Sequence, residues 1–460
     1  MKKITLPEHS KLLDKSFLFG VATSSFQIEG ARDSRLKSIW DTFCETPGKI
    51  IDKSNGLVAC EHIERWLEDI DLIQSLGVDT YRFSISWPRV MHEDGSLNHE
   101  GLGFYIQLLD TLNARGIKPF VTLYHWDLPQ FIEDNGGWLN RETAYLFQDY
   151  VDKVSLFFGD RVHSYATFNE PFCSAYLGYE IGVHAPGKTG VKSGRQAAHH
   201  ILLAHGLAMQ VLQKNSPSSL NGIVLNFTPC YPADDSESSL KAADYANQYI
   251  NHWYIKPLLH GEYPAMLAEL PDDQKPDIEA NDLQIMAQPL DFLGVNFYTR
   301  LTYSAPTVTD FSDPEKSPFY TEHAHLHPQT DIGWEIYPQA LTDLLTKILS
   351  DYNLPPIYIT ENGAAMADEL VDGAVHDNSR IDYYQSHLLA VHEAAEQGVQ
   401  IDGYFAWSLM DNFEWAEGYL KRFGLVYVDY QTQQRILKDS ALAYQAFLLS
   451  RTHNDNHVNK

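Results

Sequence analysis

Two glutamates follow short apolar runs in the same way. Residues 166–171 read Ala-Thr-Phe-Asn-Glu-Pro, and residues 357–363 read Ile-Tyr-Ile-Thr-Glu-Asn-Gly. Such runs are typical of buried strands that present polar groups at their C-terminal ends. Cleavage of a glycosidic bond requires two carboxyl groups, one to protonate the leaving oxygen and one to face the developing oxocarbenium ion. Glu170 and Glu361 are therefore candidates for this chemistry.

A structural interpretation of each glutamate stands beside the catalytic one. A single glutamate at the end of a strand is most often solvated or paired with a cation. Two glutamates in matching contexts favour a functional pair, because glycosidic cleavage needs two carboxyl groups rather than one. The rest of the chain can be tested against that hypothesis.

The runs that carry the glutamates belong to a regular series along the chain. Amphipathic helices are predicted at 61–76, 104–112, 143–158 and 199–209. The apolar runs lie at 17–23, 78–85 and 117–124, before Asn169, at 223–227 and 292–295, before Glu361, and at 402–406. Eight such runs alternating with helices are typical of repeated βα units, and eight parallel strands close a barrel. The predicted fold is an α/β single (β/α)8 TIM barrel, with residues 1–460 as one domain.

The active site of such a barrel lies at the C-terminal ends of its strands. The residues predicted at these ends are Gln27, Arg82, His125, Asn169, Glu170, Asn296, Tyr298, Glu361 and Trp407. Two α/β domains are the alternative, but no Pro/Ser-rich hinge divides the middle of the chain. Residues 305–330, rich in Pro, Ser, Asp and His, are interpreted as a long βα insertion near the barrel mouth.

Composition argues against several classes of partner. The 460 residues include 61 Asp and Glu against 34 Lys and Arg, for a formal net charge of −27, whereas nucleic acids and anionic membranes require clustered cations. No apolar segment has the length of a membrane span or the form of a secretory signal. The cysteines, at 44, 60, 173 and 230, form no CxxC pair and no disulfide framework, which favours reduced thiols and a cytoplasmic location.

The sequence predicts no metal site and no cofactor. His199, His200 and His205 share a helical segment, but no further ligand at metal-binding spacing accompanies them, which favours structural roles. No Gly-rich phosphate loop follows a predicted strand. Cleavage by two carboxyl groups needs neither a metal nor a cofactor.

The chain resembles glycoside hydrolase family 1, the retaining β-glucosidases and β-galactosidases with a (β/α)8 barrel. The motifs are Phe-x-Phe-Gly-x-Ala-Thr-x-Ser-Phe-Gln-x-Glu-Gly at 17–30, Thr-Phe-Asn-Glu-Pro at 167–171, Ile-Thr-Glu-Asn-Gly at 359–363 and Asp-Asn-Phe-Glu-Trp at 411–415. The resemblance extends from about residue 17 to about residue 448. Phe172 departs from the pattern, since family members commonly have Trp after Asn-Glu-Pro, and this departure concerns the aglycone side.

The resemblance implies that Glu361 is the nucleophile and Glu170 the acid/base. It places Arg82, Tyr298 and Asn296 beside Glu361 as supporting residues. Retention of configuration requires the two carboxyl groups to lie about 5–5.5 Å apart. Arg82 and Tyr298 are expected to keep Glu361 ionised, whereas less polar surroundings and the negative nucleophile are expected to raise the pKa of Glu170.

The resemblance also implies a sugar site with hydrogen-bonding groups around an aromatic platform. Its predicted residues are Gln27, His125, Trp126, Asn169, Trp407, Glu414, Trp415 and Phe423. Asn169 is expected to contact the 2-hydroxyl group and Trp407 to form the platform. The residues expected on the aglycone side are Cys173, Tyr176, Leu177, His184 and Trp334.

The loop after the eighth strand bears on the choice of glycone. Relatives that act on 6-phosphoglycosides hold the phosphate there with a Ser, a Lys and a Tyr. Glu414 occupies the Ser position and Phe423 the Tyr position, while Lys421 is common to both subclasses. Because a carboxylate repels a phosphate dianion, an unphosphorylated glycone is predicted.

The leading hypothesis is a β-glucosidase that acts on cellobiose-like and aryl β-glucosides, with a small-molecule β-glycoside as its binding partner. β-Galactosidase or β-fucosidase activity is an alternative, because Gln27 and Glu414 can serve either epimer at the 4-hydroxyl group. A 6-phospho-β-glucosidase and a non-catalytic sugar-binding relative are further alternatives, and a transglycosylase uses the same covalent intermediate. The sequence leaves open whether the chain forms a homo-oligomer.

Overall fold

The computed structural model describes residues 2–307 and 317–453 of the chain. Eight strands form its centre. They are β1 (Leu18–Ala22), β2 (Thr80–Ser84), β3 (Lys118–Thr122), β4 (Ser164–Asn169), β5 (Leu220–Phe227), β6 (Phe292–Phe297), β7 (Ile357–Asn362) and β8 (Ile401–Trp407). Each lies on one of the apolar runs predicted from the sequence, so the prediction of eight strands is confirmed.

The eight strands form a closed parallel barrel in which each strand pairs with its neighbours in sequence. Closure is made by β1 and β8, where Leu18 lies opposite Gly403 and Ala22 opposite Trp407. On its other edge β1 pairs with β2, and Gly20 lies opposite Thr80. The prediction of a (β/α)8 barrel is therefore confirmed, and all eight strands direct their C-terminal ends to the same face.

A helix returns the chain after each strand. These helices are α1 (His62–Leu76), α2 (His99–Ala114), α3 (Glu142–Phe158), α4 (Val191–Asn215), α5 (Glu237–Asn247), α6 (Gln339–Asp343), α7 (Asn378–Glu396) and α8 (Asp439–His453). Gly77 ends α1 in the left-handed conformation that glycine favours, and the Asn98 side chain caps the first N–H groups of α2. The helix predicted at 199–209 is longer than expected, because polar residues at its start hid the apolar periodicity.

Short helices and two small sheets lie in the connections between the barrel strands and helices. Short helices lie at Ser25–Ile28, Ile39–Glu45, Trp87–Val90, Gln130–Asp134, Trp253–His260, Met266–Glu269 and Asp282–Met286. Strands Cys230–Pro232, Leu301–Ser304 and Thr321–Glu322 form one small sheet, and Val426–Val428 pairs with Arg435–Leu437. The insertion predicted at 305–330 lies between β6 and α6 where it is described, and its residues 308–316 lie outside the described part of the chain.

Aromatic side chains fill the inside of the barrel. The Phe120 ring lies at the centre of this cluster, with centroid distances of 4.9 Å to Phe292, 5.2 Å to Phe405 and 5.6 Å to Tyr358. Gly20 makes room for them, because a Cβ atom there would lie 2.6 Å from the Phe405 ring. The middle of the barrel is therefore a packed core rather than a pore.

Among the described residues, no helix is long and apolar enough to cross a membrane. The same residues contain no group of three or more His, Cys, Asp and Glu side chains that could hold a metal ion. The three helical histidines instead have neighbours within the fold. His199 contacts Asp282 at 2.8 Å and Tyr263 at 2.9 Å. His200 contacts the Trp138 carbonyl at 2.8 Å, and His205 contacts Thr167 at 2.7 Å.

Candidate active site

A cavity of about 440 Å³ opens at the C-terminal end of the barrel. Its wall includes most of the residues singled out in the sequence: His125, Trp126, Glu170, Cys173, Leu177, His184, Asn296, Tyr298, Trp334, Glu361, Trp407, Glu414, Trp415 and Phe423. They come from the ends of β3, β4, β6, β7 and β8 and from the loops that follow. The parallel strands thus bring distant parts of the chain, from His125 to Phe423, into one site.

Glu170 lies directly after the last residue of β4. The pairing of β4 with β5 shifts register between Ala166 and Asn169, and Glu170 itself has a φ of 49°, in the left-handed region that is uncommon for non-glycine residues. Its backbone N–H donates to the Val224 carbonyl at 2.9 Å, which holds this conformation. The side chain is 6% exposed and is directed into the cavity. Irregular backbone therefore aims this carboxyl group at the site.

Neutral groups hold the Glu170 carboxyl. Asn296 Nδ2 donates to Oε1 at 2.6 Å, and Cys173 Sγ donates to Oε2 at 3.0 Å. Burial raises the pKa of Glu170 to about 7, and the nearby charge of Glu361 raises it in the same direction. A carboxyl group with this pKa can be protonated at neutral pH and can also release its proton there.

Glu361, in β7, has a cation as its partner. Arg82 Nη1 donates to Oε1 at 2.5 Å, and the Tyr298 hydroxyl donates to Oε2 at 2.7 Å. Burial raises the pKa of Glu361, and the Arg82 charge and the Tyr298 hydroxyl oppose that rise. Because the guanidinium contacts Glu361 and not Glu170, Glu361 is the first of the two carboxyl groups to ionise.

A hydrogen-bond network connects Asn169 to both glutamates. Asn169 Oδ1 accepts from Arg82 Nη2 at 2.7 Å and from Asn296 Nδ2 at 3.0 Å, while its Nδ2 lies 3.2 Å from His125 Nε2. Burial lowers the pKa of His125 well below its usual value, and the Arg82 charge adds to this effect. His125 is therefore a neutral imidazole, and its Nδ1 is buried without a hydrogen-bond partner in the described structure. Because His125 also lines the cavity, this atom is a candidate to bind a ligand.

Aromatic rings form one wall of the cavity. The His125 ring lies nearly parallel to Trp407 at 5.8 Å and to Trp415 at 6.0 Å, and Trp126 packs against Trp415 at 4.6 Å. Such rings offer flat apolar faces beside the carboxyl groups, as the apolar face of a sugar ring requires.

A third carboxyl group, Glu414, faces the glutamate pair. Burial raises the pKa of Glu414 to about 8, with further contributions from the charges of Glu361 and Glu170. Its Oε2 is buried and has no hydrogen-bond partner among the described residues. A ligand hydroxyl group could satisfy this oxygen, since an unpaired buried polar atom is unfavourable.

Four residues predicted for the site lie outside the cavity wall. Arg82 and Asn169 lie behind it and contact the carboxyl groups as described above. The Gln27 amide donates to Asn412 Oδ1 at 2.9 Å and to the Phe413 carbonyl at 2.8 Å, so Gln27 holds the loop that carries Glu414. Tyr176 stacks on Phe172 at 4.9 Å, so the structure does not bring it to the wall with the other aglycone-side candidates.

The wall also contains residues that the sequence analysis did not select as site residues. They are Phe172, Asn226, Phe227, Thr228, Thr299, Leu301, Ile332, Ala416 and Glu417. The rule that strand ends carry the site could have identified Asn226, which is the penultimate residue of β5. Ile332 and Glu417 lie on loops, and no local sequence signal marks their orientation.

A family model described as Glycosyl hydrolase family 1 matches residues 9–453. The chain belongs to this family. A β-glucosidase of Agrobacterium sp. is 47% identical over 435 residues, which cover 94% of each chain. A bifunctional β-D-glucosidase/β-D-fucosidase of Bifidobacterium breve is 42% identical, with 95% of this chain and 98% of the relative covered. The protein is thus a family 1 glycosidase, and its substrates are small glycosides.

A solved structure supports the same assignment. The crystal structure of the family 1 β-glucosidase from Exiguobacterium antarcticum B7 has a TM-score of 0.90 and 44% sequence identity, and the match covers 95% of this chain and 98% of that one. The likeness extends over the whole barrel rather than one motif. It makes the barrel mouth, where the family 1 glycosidase carries its two buried glutamates, the candidate active site.

Proposed function

We propose that this family 1 glycosidase is a retaining β-glucosidase. It hydrolyses terminal non-reducing β-D-glucosyl residues of cellobiose-like oligosaccharides and of aryl β-glucosides. The observation that carries the proposal is the unequal surroundings of the two carboxyl groups: Arg82 and Tyr298 donate to Glu361, whereas neutral groups hold Glu170. Relatives named β-glucosidase at 41–47% identity support the choice of glycone.

In the first step, ionised Glu361 attacks the anomeric carbon, and protonated Glu170 transfers its proton to the glycosidic oxygen. The bond to the aglycone breaks, and a covalent glycosyl-enzyme forms on Glu361. Arg82 and Tyr298 favour this division because they stabilise negative charge on Glu361 alone.

In the second step, Glu170 has lost its proton and acts as a base toward water. The water attacks the anomeric carbon from the side that the aglycone left, so the β-configuration is restored and Glu361 is released as a carboxylate. Formation of the ester on Glu361 removes its negative charge, which lowers the pKa of Glu170 and favours the base form at this stage. The two roles of Glu170 therefore follow from the charge state of Glu361.

The glycone is held by the polar groups around the pair. Asn169 acts toward the 2-hydroxyl group from behind the wall, where it is held by Arg82 and Asn296. His125 Nδ1 and Glu414 Oε2 bind further hydroxyl groups, and Trp407 forms the stacking platform. Gln27 acts from behind the wall, since its amide already positions the loop of Glu414. Trp126, Trp415 and Phe423 complete the apolar wall.

The glycone is unphosphorylated. The described residues that line the cavity include no Lys or Arg, and four of them are glutamates: Glu170, Glu361, Glu414 and Glu417. Lys421 is engaged elsewhere, since its Nζ donates to the Asp331 backbone carbonyl at 2.6 Å. A phosphate dianion would meet carboxylates without a compensating cation. The protein works in the cytoplasm, in keeping with four cysteines that are all free thiols.

The test is hydrolysis of p-nitrophenyl β-glucoside, β-galactoside, β-fucoside and β-glucoside 6-phosphate by the wild type and by Glu361→Ala. The wild type is expected to prefer the free β-glucoside over its phosphate. Glu361→Ala is expected to be inactive until azide is added and then to form the α-glycosyl azide. Glu417→Ala, which removes another carboxyl group of the wall, controls for loss of charge alone. Wild type that binds sugar but cleaves none of the four substrates would make the chain a receptor.

A second candidate function is hydrolysis of β-fucosides or β-galactosides as the main activity. The relative from Bifidobacterium breve, named as a glucosidase and fucosidase, favours fucosides as a side activity. The same four substrates decide the matter, because a higher kcat/KM for the fucoside or galactoside than for the glucoside reverses the assignment. The products from cellobiose show whether a sugar hydroxyl group competes with water in the second step.

A further inference from the structure

The two oxygens of Glu170 have partners of different chemistry. Asn296 Nδ2 donates to Oε1 at 2.6 Å, and Asn296 is fixed in this orientation because Thr360 Oγ1 donates to its Oδ1 at 2.7 Å. A carbonyl oxygen accepts a hydrogen bond better than a hydroxyl oxygen does, so the contact with the amide N–H group favours Oε1 as the carbonyl oxygen of protonated Glu170. Oε2, which is 3.0 Å from Cys173 Sγ, is then the oxygen favoured to carry the proton.

The backbone fixes the thiol beside that oxygen. Cys173 begins a π-helical segment, Cys173–Glu180, and its N–H group donates to the Glu170 carbonyl at 3.0 Å. Its side chain belongs to the cavity wall. Burial raises the pKa of the Cys173 thiol well above its usual value, and the Glu170 charge acts in the same direction. The sulfur thus keeps its proton throughout the working pH range and is always able to donate it in a hydrogen bond.

We propose that Cys173 is a positioning residue whose thiol reverses the direction of its hydrogen bond with Glu170 when Glu170 gains or loses its proton. When Oε2 carries the proton, the sulfur accepts a hydrogen bond from it. When Oε2 has given the proton to the leaving oxygen, the S–H group turns and donates to the carboxylate. No bond to sulfur forms or breaks, and the thiol only rotates. This inference rests on the proposed function, in which Glu170 alternates between acid and base.

The other charges around Glu170 are fixed by other elements. Glu361 on β7 raises its pKa, Arg82 on β2 lowers it, and Glu414 on the loop after β8 faces both glutamates. Tyr298, after β6, is neutral and donates to Glu361. Because all of these remain when only the sulfur is changed, a shift in the Glu170 titration on substitution of Cys173 reports the thiol hydrogen bond.

The test is the pH profile of kcat/KM for p-nitrophenyl β-glucoside in Cys173→Ala, Cys173→Val and Cys173→Ser. The basic limb reports protonated Glu170 and should lie near its pKa of about 7 in the wild type. Ala and Val remove both hydrogen bonds of the thiol, of which the bond to the charged carboxylate is the stronger, so the basic limb should move to higher pH by about 0.5–1 unit. Ser supplies a stronger donor, so its limb should lie at or below that of the wild type. Val is close to Cys in size, so agreement between Ala and Val excludes an effect of lost volume.

Two outcomes separate failure of this inference from failure of the proposed function. Glu170→Gln, assayed with 2,4-dinitrophenyl β-glucoside, whose leaving group needs no proton, should lose the basic limb altogether. If the limb persists in Glu170→Gln, Glu170 is not the acid and the proposed function is wrong. If Glu170→Gln removes the limb but the Ala, Val and Ser profiles coincide with the wild type, Cys173 does not position the proton and the inference is overturned.

Discussion

The two oxygens of Glu361 accept hydrogen bonds from donors of different charge. Arg82 holds Oε1 with a full positive charge, and the Tyr298 hydroxyl holds Oε2 as a neutral donor. Both stabilise the carboxylate against burial, which favours the protonated form. Removal of the hydroxyl alone should therefore change the titration of Glu361 without removing its counter-charge.

Tyr298→Phe is expected to raise the pKa of Glu361 by up to about one unit, because the carboxylate loses one of its donors. The acidic limb of kcat/KM, which requires ionised Glu361, should move to higher pH by the same amount. At the optimum, kcat/KM should fall by about 10–100-fold, as expected for a hydrogen bond to a charged group. The measurement is the pH profile with p-nitrophenyl β-glucoside.

Tyr150→Phe is the matched control for that variant. The Tyr150 hydroxyl is also buried, but it donates to the Leu123 backbone carbonyl at 2.9 Å and contacts no carboxyl group. Its loss should leave the acidic limb in place. If the acidic limb moves equally in both variants, or in neither, the Tyr298 hydroxyl does not specifically stabilise ionised Glu361.

At the scale of the elements, positions where strands pack closely tolerate larger side chains less well than positions on helix surfaces do. A Cβ atom at Gly20 in β1 would lie 2.6 Å from the Phe405 ring and 2.7 Å from Thr80 Cγ2, whereas nothing lies within 4 Å of a Cβ atom at Gly103 in α2. Gly20→Ala should lower the free energy of unfolding by about 1–3 kcal/mol through overpacking. Gly103→Ala should raise it by about 0.5–1 kcal/mol, because alanine favours the helix.

Denaturant unfolding of the two glycine variants under identical conditions measures both effects. The substitutions are chemically the same, so opposite signs isolate the role of packing between β1 and β8. Equal effects of the two variants would contradict the close approach of Gly20 to Phe405.

The eight strands could be predicted because each buried strand is a short apolar run that ends in polar groups. The start of α4 could not, since Val191–Ala198 mixes polar and small residues whose burial depends on neighbouring elements such as the segment of Glu180, which packs against Gly194. Local amphipathicity reports only the contrast between a buried and an exposed face. A helix buried on several sides lacks that contrast.

The sequence predicted which residues come together in the site better than it predicted the orientation of their side chains. Register shifts in β4 before Asn169 and in β7 before Glu361 accompany the orientation of Glu170 and Glu361 into the cavity. A strand buried on both faces has no alternating pattern that could reveal such a shift. The contact of Cys173 with Glu170 depends on a π-helical segment, which has no sequence signature. Tyr176, on the same segment, was predicted for the wall and lies behind Phe172.

At the scale of the whole molecule, buried carboxyl groups of two kinds oppose each other in the pH dependence of stability. Ion pairs lower the pKa of Asp41, Asp69 and Asp368 despite burial. These groups contribute stability above the usual pKa near 4, which is lost as the pH falls through their lower folded values. Burial instead raises the pKa of a second set of carboxyl groups, to about 7 in Asp127, Glu170 and Glu180 and to about 8 in Glu414.

Between pH 5.5 and pH 8 the second set of carboxyl groups keeps protons in the folded state that they have lost in the unfolded state, so their contribution to the free energy of unfolding falls as the pH rises. Buried histidines act in the opposite direction, because burial lowers the pKa of His125, His200, His205 and His387 and the unfolded state binds protons at pH 5.5 that the folded state does not. The contribution of one carboxyl group is therefore measured as the difference between a variant and the wild type at the two pH values.

Thermal unfolding of Glu414→Gln makes this measurement for one residue. The neutral amide cannot ionise, so the variant should unfold at a higher temperature than the wild type at pH 8 and at nearly the same temperature at pH 5.5, with a gain at pH 8 on the order of 1 kcal/mol. Glu64→Gln makes the same change at an exposed position of α1 and should shift neither midpoint. Because Glu414 faces the glutamate pair in the cavity, its gain in stability should come with loss of kcat/KM, as expected where a buried charge is kept for function. A Glu414→Gln protein that is no more stable than the wild type at pH 8 would show that this carboxyl group is not costly to bury.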